Sequence, residues 1–282
     1  MFNRLKNFLS KKNPIIFIDS DSKLENLIEE ISSEKIIGID TEFDWRNTYY
    51  PKLCLIQIST INKIFLIDCL RLSSLFKLKS ILENKGIVKI FHAARSDVTV
   101  LSCSGNLKVV NCFDIQVAEK FLSNDDLKSY AKIVSKYIGL KINKSETNSN
   151  WMRRPFTNNQ INYAANDVRF LIKIYKKQKK ILEKKKAYFT VKDLTKKEVS
   201  LGSQKLYIPR LKKLKSSKKI ERDLFMWREN IAMEKNVPPS YIFKDKYFKK
   251  ILKAYDENIA KDIIYEILKN EKLANNLIES LK

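Results

Sequence analysis

Residues 35–43 read KIIGIDTEF. Ile36, Ile37 and Ile39 make this a β-branched strand, and the strand ends on charge. Side chains alternate along a strand, so Asp40 and Glu42 project from one face, one pleat apart. Two like charges so placed repel each other. A fold keeps such a pair where water screens it or where a cation neutralises it. The pair closes a strongly apolar strand, which puts it at a sheet end, where clefts form.

The pattern on either side sets the fold. Upstream, PIIFID (14–19) is a strand and SDSKLENLIEEISS (20–33) a capped amphipathic helix. Downstream, LCLIQIST (53–60) and KIFLID (63–68) are two strands joined by a polar turn. LSSLFKLKSILENKG (72–86) reads as a helix closed by Gly86, IVKIFHA (87–93) as a strand and RSDVTVLSCSG (95–105) as a short helix. VVNCFD (109–114) is a strand, and IQVAEKFL (115–122) is a helix. Adjacent strands followed by strands spaced by helices predict a mixed α/β sheet with helices on its faces.

Charge narrows the function. The chain carries 55 Lys and Arg against 32 acids, a formal net charge of +23, and nucleic acid is the usual partner of such a surface. Residues 173–219 hold 18 of the basic residues and three acids, and read as a basic helix followed by a linker. The aromatic content of 11% supports a real core. Four cysteines without a C-x-x-C pair read as reduced thiols, which points to a cytoplasmic protein. His92 is the only histidine, so a His-based zinc site or a Ser-His-Asp triad has almost nothing to work with. No apolar run is long enough to span a membrane, and no obligate protein partner is evident. The first 13 residues form a basic, amphipathic extension.

Two further acids join the strand pair. Asp97 falls at the start of a helix, where its simplest role is to compensate the helix N-terminus. INYAANDVRFL (161–171), wound at about 100° per residue, puts Ile161, Ala164, Val168, Leu171, Ile172 and Tyr175 on one apolar arc. Asp167 lies at the edge of that arc, and Tyr163 sits one turn before it on the same shoulder. A half-buried acid there requires a partner. Four acids on strand ends and helix starts match what two divalent cations need, and hard oxygen ligands suit Mg²⁺ or Mn²⁺. Two such ions about 4 Å apart clamp a phosphodiester, and a nearby phenol can orient the attacking water.

IIGIDTEFDWRNTYYPKLCLIQIS (36–59), KIFHAARSDVTVL (89–101) and KSETNSNWMRRPFTNNQINYAANDVRFL (144–171) resemble, in order and spacing, the three motifs of the ribonuclease D branch of the DEDD 3′→5′ exonuclease superfamily. WRENIAMEKNVPPSYIFKD (227–245) is similar to an HRDC module, the helical nucleic-acid-binding domain that follows the nuclease in this family. The resemblance implies a ribonuclease H-like α/β fold. It implies that Asp40, Glu42, Asp97 and Asp167 bind the metals and that Tyr163 places the nucleophilic water, the tyrosine subtype. It also implies hydrolysis of RNA from its 3′ end to nucleoside 5′-monophosphates, typically in tRNA 3′ maturation. Phe43 matches the aromatic that packs on the terminal nucleotide.

Thr41, His92, Trp151, Arg153 and Arg154 are further candidate substrate contacts, with a structural role for Trp151 weighed equally. Gln57 is expected to satisfy its local hydrogen-bond network. The predicted organisation is an exonuclease domain at 14–185, a basic linker at 186–213 and a single, short HRDC-like domain at 214–282. Family members often carry two such modules, and about 68 residues follow position 214. Two other readings stay open: a DNA-directed 3′→5′ exonuclease of repair, and a non-catalytic RNA-binding protein on the same scaffold.

Overall fold

The computed structural model describes residues 13–142, 146–214, 218–257 and 259–281. The basic N-terminal extension therefore lies almost wholly outside the described residues. The chain divides into two compact units, 1–44 with 52–203, and 45–51 with 204–282.

The first unit is built on one six-stranded sheet. Its strands are β1 (Ile15–Ile18), β2 (Ile36–Asp44), β3 (Lys52–Ser59), β4 (Ile64–Asp68), β5 (Val88–Phe91) and β6 (Cys112–Asp114), in spatial order β1-β4-β3-β2-β5-β6. β2, β3 and β4 form an antiparallel meander. β1 runs parallel to β4, β5 to β2 and β6 to β5. This is the mixed sheet expected from the sequence. Around it lie α1 (Asp21–Ser32), α2 (Lys79–Leu82), α3 (Ala94–Cys103), α4 (Ile115–Ser123), α5 (Tyr130–Ile138), α6 (Asn158–Arg169), α7 (Leu171–Lys184) and α8 (Tyr188–Gly202). Alternating side chains feed two cores, one on each face of the sheet. Ile37, Ile39, Ile56 and Ile58 join Leu24, Val98 and Leu101 in one, and Leu55, Leu66, Ile90 and Phe113 join Ala164, Val168 and Leu171 in the other. Gly38 has no alternative in this packing. A Cβ there would lie 2.5 Å from Ser59 Oγ and 3.0 Å from Leu171 Cβ, so its absence lets the start of α7 rest on β2.

Two expectations need correction. Residues 72–86 do not make one helix; a 3₁₀ turn at Phe76–Leu78 leads into the single turn of α2. Ser73 is tied to Asp21 instead, its hydroxyl donating to Oδ2 at 2.6 Å and its amide to Oδ1 at 3.2 Å, which holds the preceding residues out of a helix. Nor is 186–213 a linker throughout. α8 occupies Tyr188–Gly202 and belongs to the first unit. Val191 and Thr195 are fully buried, Thr99 donates its hydroxyl to the Gly202 carbonyl at 3.0 Å, and Arg95 Nε donates to Glu198 at 2.7 Å.

The second unit is helical, with α9 (Ile208–Leu211), α10 (Lys219–Glu234), α11 (Pro239–Ile242), α12 (Lys246–Asp256), α13 (Ala260–Leu268) and α14 (Glu271–Ser280). Leu224, Trp227, Phe243, Ile251, Ile264 and Leu277 form its core. The segment Trp45–Pro51, which connects β2 to β3, is part of this unit. Buried Glu229 accepts from Arg210 Nε at 2.9 Å and from the Tyr49 hydroxyl at 2.7 Å. No described helix is long and apolar enough to cross a membrane.

Candidate active site

β2 carries Asp40 and Glu42 outward on the face covered by α6, and its register against β3 slips just after, between Glu42 and Phe43. A bulge at that point ends regular pairing and turns the strand end away from the sheet. α6 starts with a capping box: Thr157 Oγ1 accepts from the Gln160 amide at 3.1 Å, and Gln160 Oε1 accepts from the Thr157 amide at 3.0 Å. That fixes the start of the helix and, two turns on, the height of Tyr163 and Asp167. Oxygens of Asp40, Glu42 and Asp167 lie within 4.8 Å of one another.

Asp97 stands beside this group. It is 4% exposed, and its Oδ1 accepts from the Thr41 hydroxyl at 2.7 Å. The structure thus brings three of the four acids into one cluster and bonds the fourth to the strand that carries two of them. Burial pushes the Asp40 carboxyl well above the usual range, reinforced by Asp97, Asp167 and Glu42. Burial also raises Glu42, with Asp167 and Asp97 adding to it. Asp97 is raised by burial to about 7, despite the Thr41 bond that lowers it. Among the described residues no Lys or Arg pairs with Asp40, Glu42 or Asp97. Asp40 and Glu42, converging with Asp167, fit a hard divalent cation, whose charge would remove the repulsion that raises the first two.

Tyr163 lies one turn before Asp167, with its hydroxyl 3.2 Å from Thr147 Oγ1. Burial, then Asp167, raises its phenol far above the ordinary value, so it stays protonated. Trp151 is 3% exposed and packs against Tyr163, ring centres 6.1 Å apart, and against Phe156. It offers no open face for a base, and packing is the role that the structure supports. Arg154 is also not a free phosphate contact. It donates to both oxygens of buried Asp68 at 2.6 Å and to the Trp151 carbonyl at 2.6 Å, and lies over the Phe156 ring. Arg153 is exposed. Thr41 is buried and engaged with Asp97, and so holds an acid instead of facing solvent. Phe43 is half-buried against the first core. His92 Nε2 lies 3.1 Å from the Lys128 carbonyl oxygen, and its ring meets Tyr130 edge-on.

One residue departs from the sequence reading and one escaped it. Gln57 is fully buried directly across from Asp40, and neither its Oε1 nor its Nε2 has a partner among the described residues, contrary to the expectation of a satisfied network. Asp114, at the end of β6, accepts from backbone amides of two helices. Its place between Phe113 and an amphipathic run was a readable N-cap signal; its second set of amides was not.

A model of the 3′-5′ exonuclease family matches residues 15–183. The chain belongs to that family. A model of the HRDC domain matches residues 217–261, within the second unit. A ribonuclease D of Desulfotalea psychrophila is 31% identical over 242 residues, 81% of this chain and 64% of that one. A ribonuclease D of Haemophilus influenzae is 30% identical over 268 residues, 91% of this chain and 66% of that one. The chain thus spans less than two thirds of the length of these curated relatives. The crystal structure of Escherichia coli RNase D, described as an exoribonuclease involved in structured RNA processing, superposes with a TM-score of 0.80 at 23% identity, over 94% of this chain and 74% of that one. At that identity the likeness concerns the fold, and it bears out the α/β sheet followed by a helical domain. The motif resemblance to ribonuclease D is borne out by the family and by its relatives.

Proposed function

We propose that this chain is a divalent-metal-dependent 3′→5′ exoribonuclease that removes nucleoside 5′-monophosphates from the 3′ end of RNA, with tRNA precursors as natural substrates. The observation that carries the reading is the cluster of Asp40, Glu42 and Asp167 one helical turn from a protonated tyrosine. The ribonuclease D relatives support RNA over DNA.

Asp40, Glu42 and Asp167 would hold the cations, Mg²⁺ or Mn²⁺, with Asp97 as the fourth carboxylate. Bound there, they supply positive charge to the phosphodiester and acidify water. Asp40 and Glu42 sit on one strand face and Asp167 on the helix opposite, so the carboxylates grip from two sides. Tyr163 cannot act as a base, because its phenol keeps its proton. It acts as a neutral hydrogen-bond partner, with one lone pair and one proton to share between Thr147 and a water. Thr41 holds Asp97 Oδ1 through its hydroxyl and so ties that carboxylate to the strand that carries Asp40 and Glu42. Phe43, next to Glu42, would pack on the terminal nucleotide, and exposed Arg153 would meet a phosphate. The helical unit supplies RNA affinity, in the cytoplasm.

The test is digestion of 5′-labelled RNA and DNA, with free or blocked 3′ ends, in Mg²⁺, Mn²⁺ or chelator. Stepwise shortening of RNA from a free 3′ end, lost in chelator and in Asp167→Asn, is expected. Activity that survives Asp167→Asn overturns the site. Preferential digestion of DNA favours a repair exonuclease, and binding without hydrolysis in every metal favours an RNA-binding scaffold. Faster trimming of a tRNA precursor than of an unstructured RNA with the same 3′ end supports the natural substrate; equal rates refute it.

A further inference from the structure

We infer that Asp114 is a positioning residue: one buried carboxylate caps two helices and thereby sets the placement of Asp97. Asp114 is 1% exposed at the end of β6. Its Oδ1 accepts from the amides of Gln116 at 2.8 Å and Val117 at 3.4 Å, an ordinary N-cap of α4. The same oxygen accepts from the amide of Ala93 at 3.1 Å, and Oδ2 accepts from that of Ala94 at 2.8 Å. Those two amides open α3, the helix with Asp97 in its first turn.

α3 has no side-chain cap of its own. The residue before it is Ala93, in the left-handed region at φ 62° and ψ 47°. An alanine does not hold that conformation unaided, and the first amides of a helix lack partners within it. Asp114 supplies both needs from outside. Its height is fixed by the sheet, since Asp114 pairs with Phe91 in the register of β5 and β6. It is fixed again by α8, where buried Thr195 Oγ1 accepts from the Asp114 amide at 3.2 Å. A helix advances about 1.5 Å and turns about 100° per residue, so a slip of one residue at the start of α3 would swing Asp97 away from Thr41 and the acid cluster. Asp97 is thus held from both ends, by Thr41 through its side chain and by Asp114 through its backbone.

Asp114→Asn separates the two caps. The remaining Oδ1 still serves Ala93, Gln116 and Val117, while the new NH₂ faces the Ala94 amide, donor against donor. Ser20→Ala, which removes the N-cap of α1 far from this turn, is the control for loss of a cap alone. We would measure Tm, the dissociation constant for Mn²⁺ by calorimetry, and kcat and KM on labelled RNA. The expected result for Asp114→Asn is Mn²⁺ affinity and kcat each down about 10-fold, with KM for RNA within about twofold. Ser20→Ala lowers Tm and leaves Mn²⁺ affinity alone. In the Asp114→Asn background, Ala93→Gly removes the left-handed strain and recovers part of the Mn²⁺ affinity; the same double variant serves if the single one fails to fold. Wild-type Mn²⁺ affinity in either folded variant overturns the inference, as does a Mn²⁺ loss of equal size in Ser20→Ala. The inference rests on the reading of Asp97 as part of the metal site, and absence of Mn²⁺ binding by the wild-type protein overturns both. Mn²⁺ binding without RNA digestion overturns only the proposed activity.

Discussion

Asp68 and Asp40 lie on the two outer strands of the same meander, one on either side of β3, and both are acids among apolar residues. Asp68 is fully buried at the end of β4 and is gripped on both oxygens by Arg154. Asp40 has Asp97, Asp167 and Glu42 around it, and each of them raises its carboxyl further. At Asp68 the fold supplies a guanidinium to a buried acid. Where it gathers acids at the end of β2, it supplies more acids. The first arrangement is complete as folded; the second, on the proposed reading, would be completed by a cation.

The sharpest break of that contrast is a pair of opposite stability effects. Asp40→Asn should lower kcat about 1,000-fold by removing one arm of the carboxylate cluster. It should also raise the Tm of the metal-free protein by about a few degrees, because it removes a repelled charge. A fall in Tm would show that the cluster is stabilised from within. Arg154→Ala should do the reverse. It leaves Asp68 buried and unpaired, at a cost of about 3–5 kcal/mol, read as a large loss of Tm or of chemical stability. A near-neutral result would make the ion pair decorative.

Tyr163→Phe comes next. It keeps the ring against Trp151 and deletes only the hydroxyl, so kcat should fall about 100-fold with KM for RNA unchanged. A rise in KM with unaltered kcat would make the tyrosine a substrate contact. The smallest effect is on pH. Asp97 titrates at about 7 in the folded protein and near about 4 unfolded, so between those values the folded state binds the extra proton. Metal-free stability should therefore fall as pH rises through this window, by up to about 1.4 kcal/mol per unit from Asp97, with the raised Asp40 and Glu42 carboxyls acting in the same direction. Added Mg²⁺ should raise Tm more at pH 8 than at pH 6. A larger shift at pH 6 would contradict the electrostatic account.

What could be read in the sequence follows from range. Strand alternation and helical spacing are local, so β2, β3, β4, α6 and α7 stood out in the residues themselves, and so did the pairings Asp40 with Glu42 and Tyr163 with Asp167. The fate of Trp151 and Arg154 was not local. Both sit in a polar loop, yet partners far along the chain, Asp68 and Tyr163, draw them inward. α8 was hidden for a different reason: inward Val191 and Thr195 are interleaved with Lys192, Lys196 and Lys197, and lysine is as good a solvent-facing helix residue as a linker residue. Asp114 was visible as a cap of the helix that follows it and invisible as a cap of the one before, because that bond crosses the β5–β6 register.

The segment Trp45–Pro51 leaves the sheet after Asp44 and spends its hydrogen bonds in the helical unit, where the Tyr49 hydroxyl donates to Glu229 and the Tyr50 amide donates to Asn236 Oδ1. Excision of the tail at Ser203 therefore leaves the first unit with a loop that has lost its partners. It strands a tyrosine built for a core, and it frees the tether that begins three residues after Glu42. A graft of this tail onto another sheet, or of another tail onto this one, has to exchange that seven-residue loop along with it.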